Sequence, residues 1–271
     1  MVSPRTPAGT VDFLPDLRDN HLLAALPDPE LWRLAPRLHP VTLQPGQVLY
    51  ESGSTISHAY FPTTALISSL YEFDDGTSAE TAITGNEGMI GIAVFMGGES
   101  RLGRAVVLTA GHAFRLGAQA LKDEFHRTGP LMHLLLHYTQ ALITQTAQTA
   151  VCNRHHSLDQ RLCRWLLLSL DRSQGDDFAI TQQVIAHMLG VRRESVTEAA
   201  HKLQELGLVR CGRGHIVVLD RRGLEKRACE CYSAVRKEYD RLLPDRRATP
   251  AAAHQRATPV GALQPVCSLA H

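Results

Sequence analysis

The first half of the chain alternates short apolar runs with turn residues. Between residues 41 and 116, β-branched and aromatic residues occur in brief segments separated by pairs such as Pro45-Gly46 and Gly97-Gly98. Val41 and Leu43 alternate with polar neighbours, as residues of a half-buried strand do. The pattern predicts a series of short strands and hairpins that forms a compact β-roll or barrel over residues 20–117.

A helical period replaces this alternation after residue 117. Residues at alternating three- and four-residue steps form a stripe that is apolar at its start and polar towards its end. This spacing is typical of the contact between two paired helices. We predict one long helix over residues 118–155 that joins two protomers. A helix packed on its own β-roll has the same period, so both interpretations stay open. The residues of the predicted dimer contact are Leu131, Leu135, Tyr138, Leu142, Gln145 and Thr149.

A third pattern, between residues 181 and 206, is typical of two short helices that cross closely. The fifth residue counted from Gln182 is the small Ala186, and the ninth is Gly190. A small residue allows close crossing, and a glycine readily adopts the left-handed conformation of the turn. Thr181 is placed to cap the first helix. The segment is therefore predicted to be a helix-turn-helix.

The second of these helices is expected to run from about Arg192 to Leu206 and to present a polar face to the major groove of DNA. Its predicted buried side consists of Val196, Ala199, Leu203 and Leu206. Arginine can bond guanine through two donors, and glutamate can accept from cytosine. An ordinary solvated face is the alternative. The predicted DNA-contacting residues are Thr181, Gln182, Arg192, Arg193, Glu194, Thr197, Glu198, His201, Lys202 and Arg213.

A hairpin with a basic tip is predicted directly downstream, over residues 208–219. Arg213 lies between two glycines, where it can reach a phosphate or the minor groove, although a simple exposed turn has the same composition. A helix-turn-helix followed by such a hairpin is a winged helix. We assign residues 156–243 to this DNA-binding domain and residues 244–271, with a repeated Arg-Ala-Thr-Pro, to a disordered tail.

Composition and charge agree with a two-module globular protein. The chain is 44% hydrophobic and 20% charged. Residues 1–152 carry 9 Lys and Arg against 14 Asp and Glu, whereas residues 153–244 carry 16 against 12. A basic second module is consistent with a polyanionic partner. Because the sequence has neither a signal peptide nor an apolar run of membrane-spanning length, we expect a cytoplasmic protein without a membrane partner.

The sequence contains few signs of catalysis or metal binding. It has no glycine-rich phosphate loop, no nucleophile elbow and no H-E-x-x-H, so we expect no enzyme. Six cysteines at irregular spacing do not indicate a disulfide framework. Cys229 and Cys231 could bind a metal with Cys211, but two sulfurs separated by one helical residue diverge by about 200°. No metal site is therefore predicted.

Taken together, these modules resemble the Crp/Fnr superfamily of bacterial transcription regulators. The resemblance covers roughly residues 20–243 and depends on residues 43–49, 60–62, 86–91 and 180–196. It implies an α+β fold with an N-terminal double-stranded β-helix resembling cyclic-nucleotide-binding domains, a dimerisation helix and a C-terminal winged helix-turn-helix. It also implies that Arg193 and Glu194 read bases. Glu198 stands where a second basic base-reader is common, so a different target sequence is expected.

The resemblance leaves the effector unknown. Cyclic-nucleotide-binding members have a Gly-Glu step whose carboxylate accepts from the ribose, whereas this chain has Gly91 and Ile92, so a cyclic nucleotide is disfavoured. Arg101 and Arg104 are the nearest basic residues, and these four positions form the candidate effector pocket. The iron-sulfur mechanism of the family needs N-terminal cysteines, and residues 1–151 contain none.

We therefore predict a homodimeric regulator that binds double-stranded DNA at a palindromic site and responds to a signal at the β-roll. RNA polymerase is the further partner that the resemblance implies. The alternative is a small-molecule or redox sensor whose output is protein contact. The effector, the target genes and the direction of regulation have no signature in the sequence.

Overall fold

The computed structural model describes residues 16–243 apart from residues 75–76, 99, 101 and 174–176. The predicted C-terminal tail and Arg101 of the candidate effector pocket lie outside the described residues. Two short helices open this part of the chain, α1 (His21–Ala24) and α2 (Asp28–Leu34). In the described part, no helix is long and apolar enough to span a membrane.

Antiparallel strands form the N-terminal module, as the alternating pattern predicts. One sheet has the order β1-β7-β3, and the other has the order β2-β6-β4-β5. Phe61, Ile67 and Val107 are buried in the core of this module because strand residues alternate between a buried and an outer face. The strands are β1 (Leu38–Leu43), β2 (Val48–Tyr50), β3 (His58–Pro62), β4 (Leu66–Glu72), β5 (Ser78–Thr84), β6 (Arg104–Thr109) and β7 (Gly111–Gly117).

The predicted single helix over residues 118–155 is two helices in the structure, α3 (Ala118–His126) and α4 (Pro130–His155). Thr128 has a positive φ of 56°, and Pro130 is the first residue of α4. Proline lacks a backbone N–H and fits only the first turn of a helix, which explains the break. The expectation of one uninterrupted helix is wrong at this point.

Four of the six residues predicted for the dimer contact on α4 are buried inside the protomer, namely Leu131, Leu135, Tyr138 and Gln145, whereas Leu142 and Thr149 are half-buried. Leu135 and Tyr138 are fully buried, and the Tyr138 hydroxyl donates to the Met89 carbonyl at 2.9 Å. Gln145 donates to the Ile83 carbonyl at 3.0 Å. The side of α4 that carries these residues therefore packs against its own β-roll, as in the alternative interpretation.

The C-terminal module is a small helical domain with a three-stranded sheet of order β8-β10-β9. Ser157 caps its first helix with a hydrogen bond from the Gln160 amide. The last helix, α9, packs against α4. The elements are α5 (Leu158–Leu170), β8 (Asp177–Phe178), α6 (Gln182–Leu189), α7 (Arg193–Glu205), β9 (Val209–Gly212), β10 (His215–Val218), α8 (Arg221–Arg227) and α9 (Glu230–Leu242).

A buried polar cluster joins the two modules. The Arg172 guanidinium, 1% exposed, lies 2.8 Å from the carboxylate of Glu87, and it donates to the side chain of Gln145 at 2.6 Å. Tyr239 on α9 donates to the same Gln145 oxygen at 3.0 Å. Residues of the β-roll, α4, α9 and the end of α5 thus share one network, which fixes where the helix-turn-helix lies.

Candidate nucleic-acid interface

The helix-turn-helix has the local structure that the sequence predicts. The Thr181 hydroxyl accepts a hydrogen bond from the Val184 amide at 3.2 Å and so caps α6. Gly190 ends α6 in the left-handed conformation, with φ 63° and ψ 41°. Ala186 is 1% exposed, as close crossing of two helices requires.

The buried side of α7 is confirmed except at its end. Val196, Ala199 and Leu203 are buried, and Ala200 joins them. Leu206 is 50% exposed, because it is the C-cap residue and the chain leaves the helix there. The prediction that Leu206 belongs to the buried face is therefore wrong.

The opposite side of α7 is polar and open to solvent. Thr197 lies on this side, and its hydroxyl donates to the side-chain oxygen of Gln182 at 2.7 Å, which links the outer faces of α6 and α7. Arg192 is the N-cap residue of α7, and its side chain is exposed. The exposed residues of this face are Arg193, Glu194, Thr197, Glu198, His201 and Lys202.

One ion pair and one histidine–carboxylate contact organise the second half of this face. The Lys202 ammonium lies 2.9 Å from the Glu198 carboxylate one turn earlier, and this hydrogen bond raises the pKa of Lys202. His201 lies 3.4 Å from Glu205. Glu198 thus offsets the charge of Lys202 locally, while Arg193 lies at the opposite end of the face, in the first turn of α7.

The predicted wing reaches the same surface. The hairpin of β9 and β10 turns at Arg213 and Gly214, where Gly214 has a positive φ of 77°. A groove of about 410 Å³ separates this tip from the start of α6 and α7. Thr181, Gln182, Arg193 and Arg213 all line this groove. Four of the predicted DNA-contacting residues therefore converge from three elements.

The β-roll lies beside the end of α7 that carries Arg193 and Glu194. A cavity of about 740 Å³ is lined by these two residues on one side and by Phe73 and Thr77, from the connection between β4 and β5, on the other. Next to the cavity, α6 packs against β5. Sequence reasoning missed this contact, because a hairpin tip carries no local signal for a partner more than 100 residues away.

The three candidate effector-pocket residues that the structure describes, Gly91, Ile92 and Arg104, do not form one site. Gly91, with φ 108°, precedes a 3₁₀ turn that begins at Ile92. Ile92 lines a groove of about 600 Å³ between the β-roll and α4. Arg104 instead pairs with Glu51 at 3.0 Å and with Glu72 at 2.5 Å, so its charge is already balanced on the surface of the roll.

The groove beside Ile92 has a mainly apolar lining. Tyr71 and Met96 from the roll face Leu142 and Ile143 of α4 across it. This apolar groove between strand and helix is a chemically different environment from the surface on which Arg104 pairs with Glu51 and Glu72.

Comparison with known proteins identifies the C-terminal module. Residues 160–227 match the family model of a Crp-like helix-turn-helix domain. A search of curated proteins gives no match to the chain.

Solved structures match over both modules. FixK2 from Bradyrhizobium japonicum superposes with a TM-score of 0.61 at 17% identity, over 71% of this chain and 98% of that one. A CRP-family transcriptional regulator from Thermus thermophilus gives 0.58 at 18% identity, over 69% and 96%. A CRP/FNR-family regulator from the same organism gives 0.55 at 22% identity, over 70% and 98%. The chain thus carries a Crp-like helix-turn-helix domain and has the fold of the Crp/Fnr transcriptional regulators.

Proposed function

We propose that this protein is a transcription regulator that binds a specific double-stranded DNA sequence as a homodimer. The observation that carries the proposal is the outer face of α7. Arg193, Glu194, Thr197 and Glu198 are exposed on one side of a helix whose other side is buried. Arginine and glutamate side chains at the start of a recognition helix have the donors and acceptors that distinguish base edges in the major groove.

The residues around this face fit contact with the DNA backbone. Thr181 caps α6, so the partial positive charge of the helix N-terminus lies near its hydroxyl. Two exposed cations lie on either side of Arg193: Arg213 at the wing tip lines the groove of about 410 Å³, and Arg192 before α7 lines the cavity of about 740 Å³. In this proposal they bind phosphates and set the position of the helix, while Arg193 and Glu194 read the bases.

An exposed apolar stripe on α4 supports a homodimer. Leu136, Ile143 and Val151 on α4 are 47%, 59% and 49% exposed, and Ile143 lies at the edge of the groove beside the β-roll. Leu136 and Ile143 are seven residues apart, which is the repeat of a paired helix. Two protomers joined along this stripe would present two α7 helices to successive major grooves, about 34 Å apart on a pseudo-palindrome.

The contact between the β-roll and α6 supports control by a signal. In the proposed mechanism, an effector at the apolar groove beside Ile143 shifts α4 and releases α6 from β5. This movement would free the start of α7 for DNA. The proposal involves regulation by a two-state equilibrium and no catalysis.

Selection from a pool of random duplexes tests the proposal. Purified full-length protein is expected to enrich a palindrome. Arg193→Ala and Glu194→Ala should each relax one position per half-site, whereas Glu205→Gln, at the far end of α7, should leave the enriched sequence unchanged. Failure to enrich any sequence, with and without a cellular extract as a source of effector, would contradict DNA reading and favour protein contact as the output.

A further inference from the structure

Four potential metal ligands meet where the end of α4 touches the start of α9. They are Cys152, His156, Cys229 and Cys231, and one sulfur or nitrogen atom from each lies within 4.8 Å of all the others. The three cysteines form a small buried cluster that is separate from the main hydrophobic core. This cluster has no part in the DNA interface described above.

Local structure explains how the two cysteines at α9 come to face one point. Cys229 is the N-cap residue, with φ −73° and ψ 163°, so it lies outside the helix, whereas Cys231 lies in its first turn. The divergence of about 200° applies only when both residues are helical. That geometric argument against this pair therefore does not apply, and the potential ligands beside the pair are Cys152 and His156 rather than Cys211.

The other two ligands come from the last turn of α4. Cys152 is helical, and His156 is the residue that caps the helix four positions later. Residues four apart lie on the same side of a helix. The His156 ring therefore lies above the Cys152 sulfur, and both face α9.

Two of the distances within the cluster match those of a tetrahedral zinc site, and the other four are at most 4.8 Å. Zinc bonds of about 2.3 Å to sulfur and 2.0–2.1 Å to nitrogen place two sulfurs about 3.8 Å apart and a sulfur and nitrogen about 3.6 Å apart. The Sγ atoms of Cys152 and Cys229 are 3.5 Å apart. The Cys231 Sγ lies 3.6 Å from His156 Nδ1. A disulfide, at about 2.05 Å, would require the first pair to move much closer.

The outer contacts also fit a metal site. His156 points Nδ1 at the thiols, and its Nε2 lies 3.3 Å from the carboxylate of Glu230. Metal-ligating histidines generally donate their second ring N–H to such an oxygen acceptor. Cys152, Cys229 and Cys231 are 0%, 4% and 1% exposed, so the set is shielded from solvent. The buried cation Arg164 acts electrostatically on Cys152 and Cys231 and would offset the net negative charge of three thiolates around Zn²⁺.

We propose that Cys152, His156, Cys229 and Cys231 bind one Zn²⁺ ion. With four protein ligands the site is closed, which is the arrangement of structural rather than catalytic zinc. The ion would join α9 to the end of α4 immediately before Ser157, where the chain enters the DNA-binding module. Zinc would therefore fix the direction in which that module leaves α4, whether or not DNA is bound.

Metal analysis of the full-length protein, purified under reducing conditions without added chelator, is the direct test. One zinc per chain is expected. Replacement by cobalt(II) should give the visible d–d bands of a tetrahedral complex and the charge-transfer absorption of thiolate ligands. Cys229→Ser should lose the metal, whereas Cys211→Ser, which changes a cysteine outside the cluster, should retain it.

A second variant tests the site without disturbing the buried thiols. Glu230 is 79% exposed, so Glu230→Gln should fold normally and weaken zinc affinity by about 10- to 100-fold, measured by competition with a chromophoric chelator. Glu205→Gln removes a similar histidine–carboxylate pair far from the thiols and should change nothing. Two results would overturn the proposal. One is that reduced wild-type protein retains less than a tenth of an equivalent of zinc after incubation with zinc sulfate. The other is a native Cys152–Cys229 disulfide found by mass spectrometry.

Discussion

The buried carboxyl group of Glu80 on β5 accepts a hydrogen bond from the indole N–H of Trp165 on α5, with 3.0 Å between the two heavy atoms. The same carboxyl accepts from the Ser68 hydroxyl at 2.7 Å. Burial raises the pKa of Glu80 to about 7, although its two hydrogen bonds and the charges of Arg164 and Arg172 act in the opposite direction. A titratable group thus lies in the contact between the β-roll and the C-terminal module.

The raised pKa predicts a stability that falls with pH. The folded protein keeps the Glu80 proton up to about pH 7, whereas the unfolded chain releases it near 4.5. The free energy of unfolding should therefore decrease by about 3 kcal/mol in total as the pH rises from the unfolded to the folded pKa of Glu80. Above the folded pKa, Glu80 should contribute little further change. Glu80→Gln mimics the protonated form and should remove this part of the pH dependence.

Urea unfolding at several pH values from 5 to 8 measures the effect. The control variant is Glu51→Gln, because Glu51 is 61% exposed and should keep the wild-type slope. Equal slopes for wild type and Glu80→Gln would show that Glu80 ionises normally in the folded protein.

The ion pair between Arg172 and Glu87 predicts a large destabilisation when one partner is removed. Both side chains are almost completely buried. Arg172→Met leaves the Glu87 charge without its cation, which typically costs about 3–5 kcal/mol. The double variant Arg172→Met with Glu87→Gln should recover part of this loss, since neither position then carries a charge. Chemical denaturation of the four proteins in this cycle gives the coupling energy, and additive effects would contradict a direct pair.

Local patterns predicted the helix-turn-helix well. Thr181, Ala186 and Gly190 have roles set by their own and their nearest residues, namely a cap, a helix crossing and a left-handed turn. The strands of the β-roll were predictable for the same reason, since alternation directly reports a half-buried surface.

Contacts between distant segments were not predictable from such patterns. The spacing of apolar residues in α4 identifies the face of the helix that is buried. The same spacing does not show whether that face meets a second protomer or the protein's own β-roll. Arg172 and Glu87 are 85 residues apart, and Cys152 and Cys229 are 77 apart. Pairings of this kind depend on the packing of whole modules, and no neighbouring residue signals them.

The exposed stripe on α4 predicts that one charge can separate the dimer. Ile143 is 59% exposed in the protomer, so Ile143→Arg should fold with unchanged stability, while burying its charge in a helix contact is costly. Sedimentation equilibrium should show a monomer. The affinity for a full palindrome should fall by about 10²- to 10⁴-fold, because the second half-site no longer binds through a linked protomer.

Leu102→Arg is the matched control for this variant. Leu102 is 74% exposed on the β-roll and lies outside the α4 stripe. The Leu102→Arg protein should remain dimeric and bind the palindrome as the wild type does. A dimeric Ile143→Arg protein would place the contact elsewhere than the stripe.

The wing and the recognition helix should differ in their response to salt. Arg213 at the wing tip is proposed to bind a phosphate, so Arg213→Ala should weaken binding to all sequences similarly and reduce the magnitude of the slope of log K against log salt concentration by about 1. Arg193→Ala should instead weaken binding to the selected site by about 1–3 kcal/mol and relax the preference at one base pair.

Fluorescence anisotropy at several salt concentrations, with the selected duplex and a scrambled one, separates the two effects. Arg37→Ala, an exposed cation on the β-roll side, should change neither quantity. If Arg213→Ala altered the base preference while leaving the salt slope intact, the wing would read the groove rather than bind the backbone, and sequence reading would involve two elements instead of α7 alone.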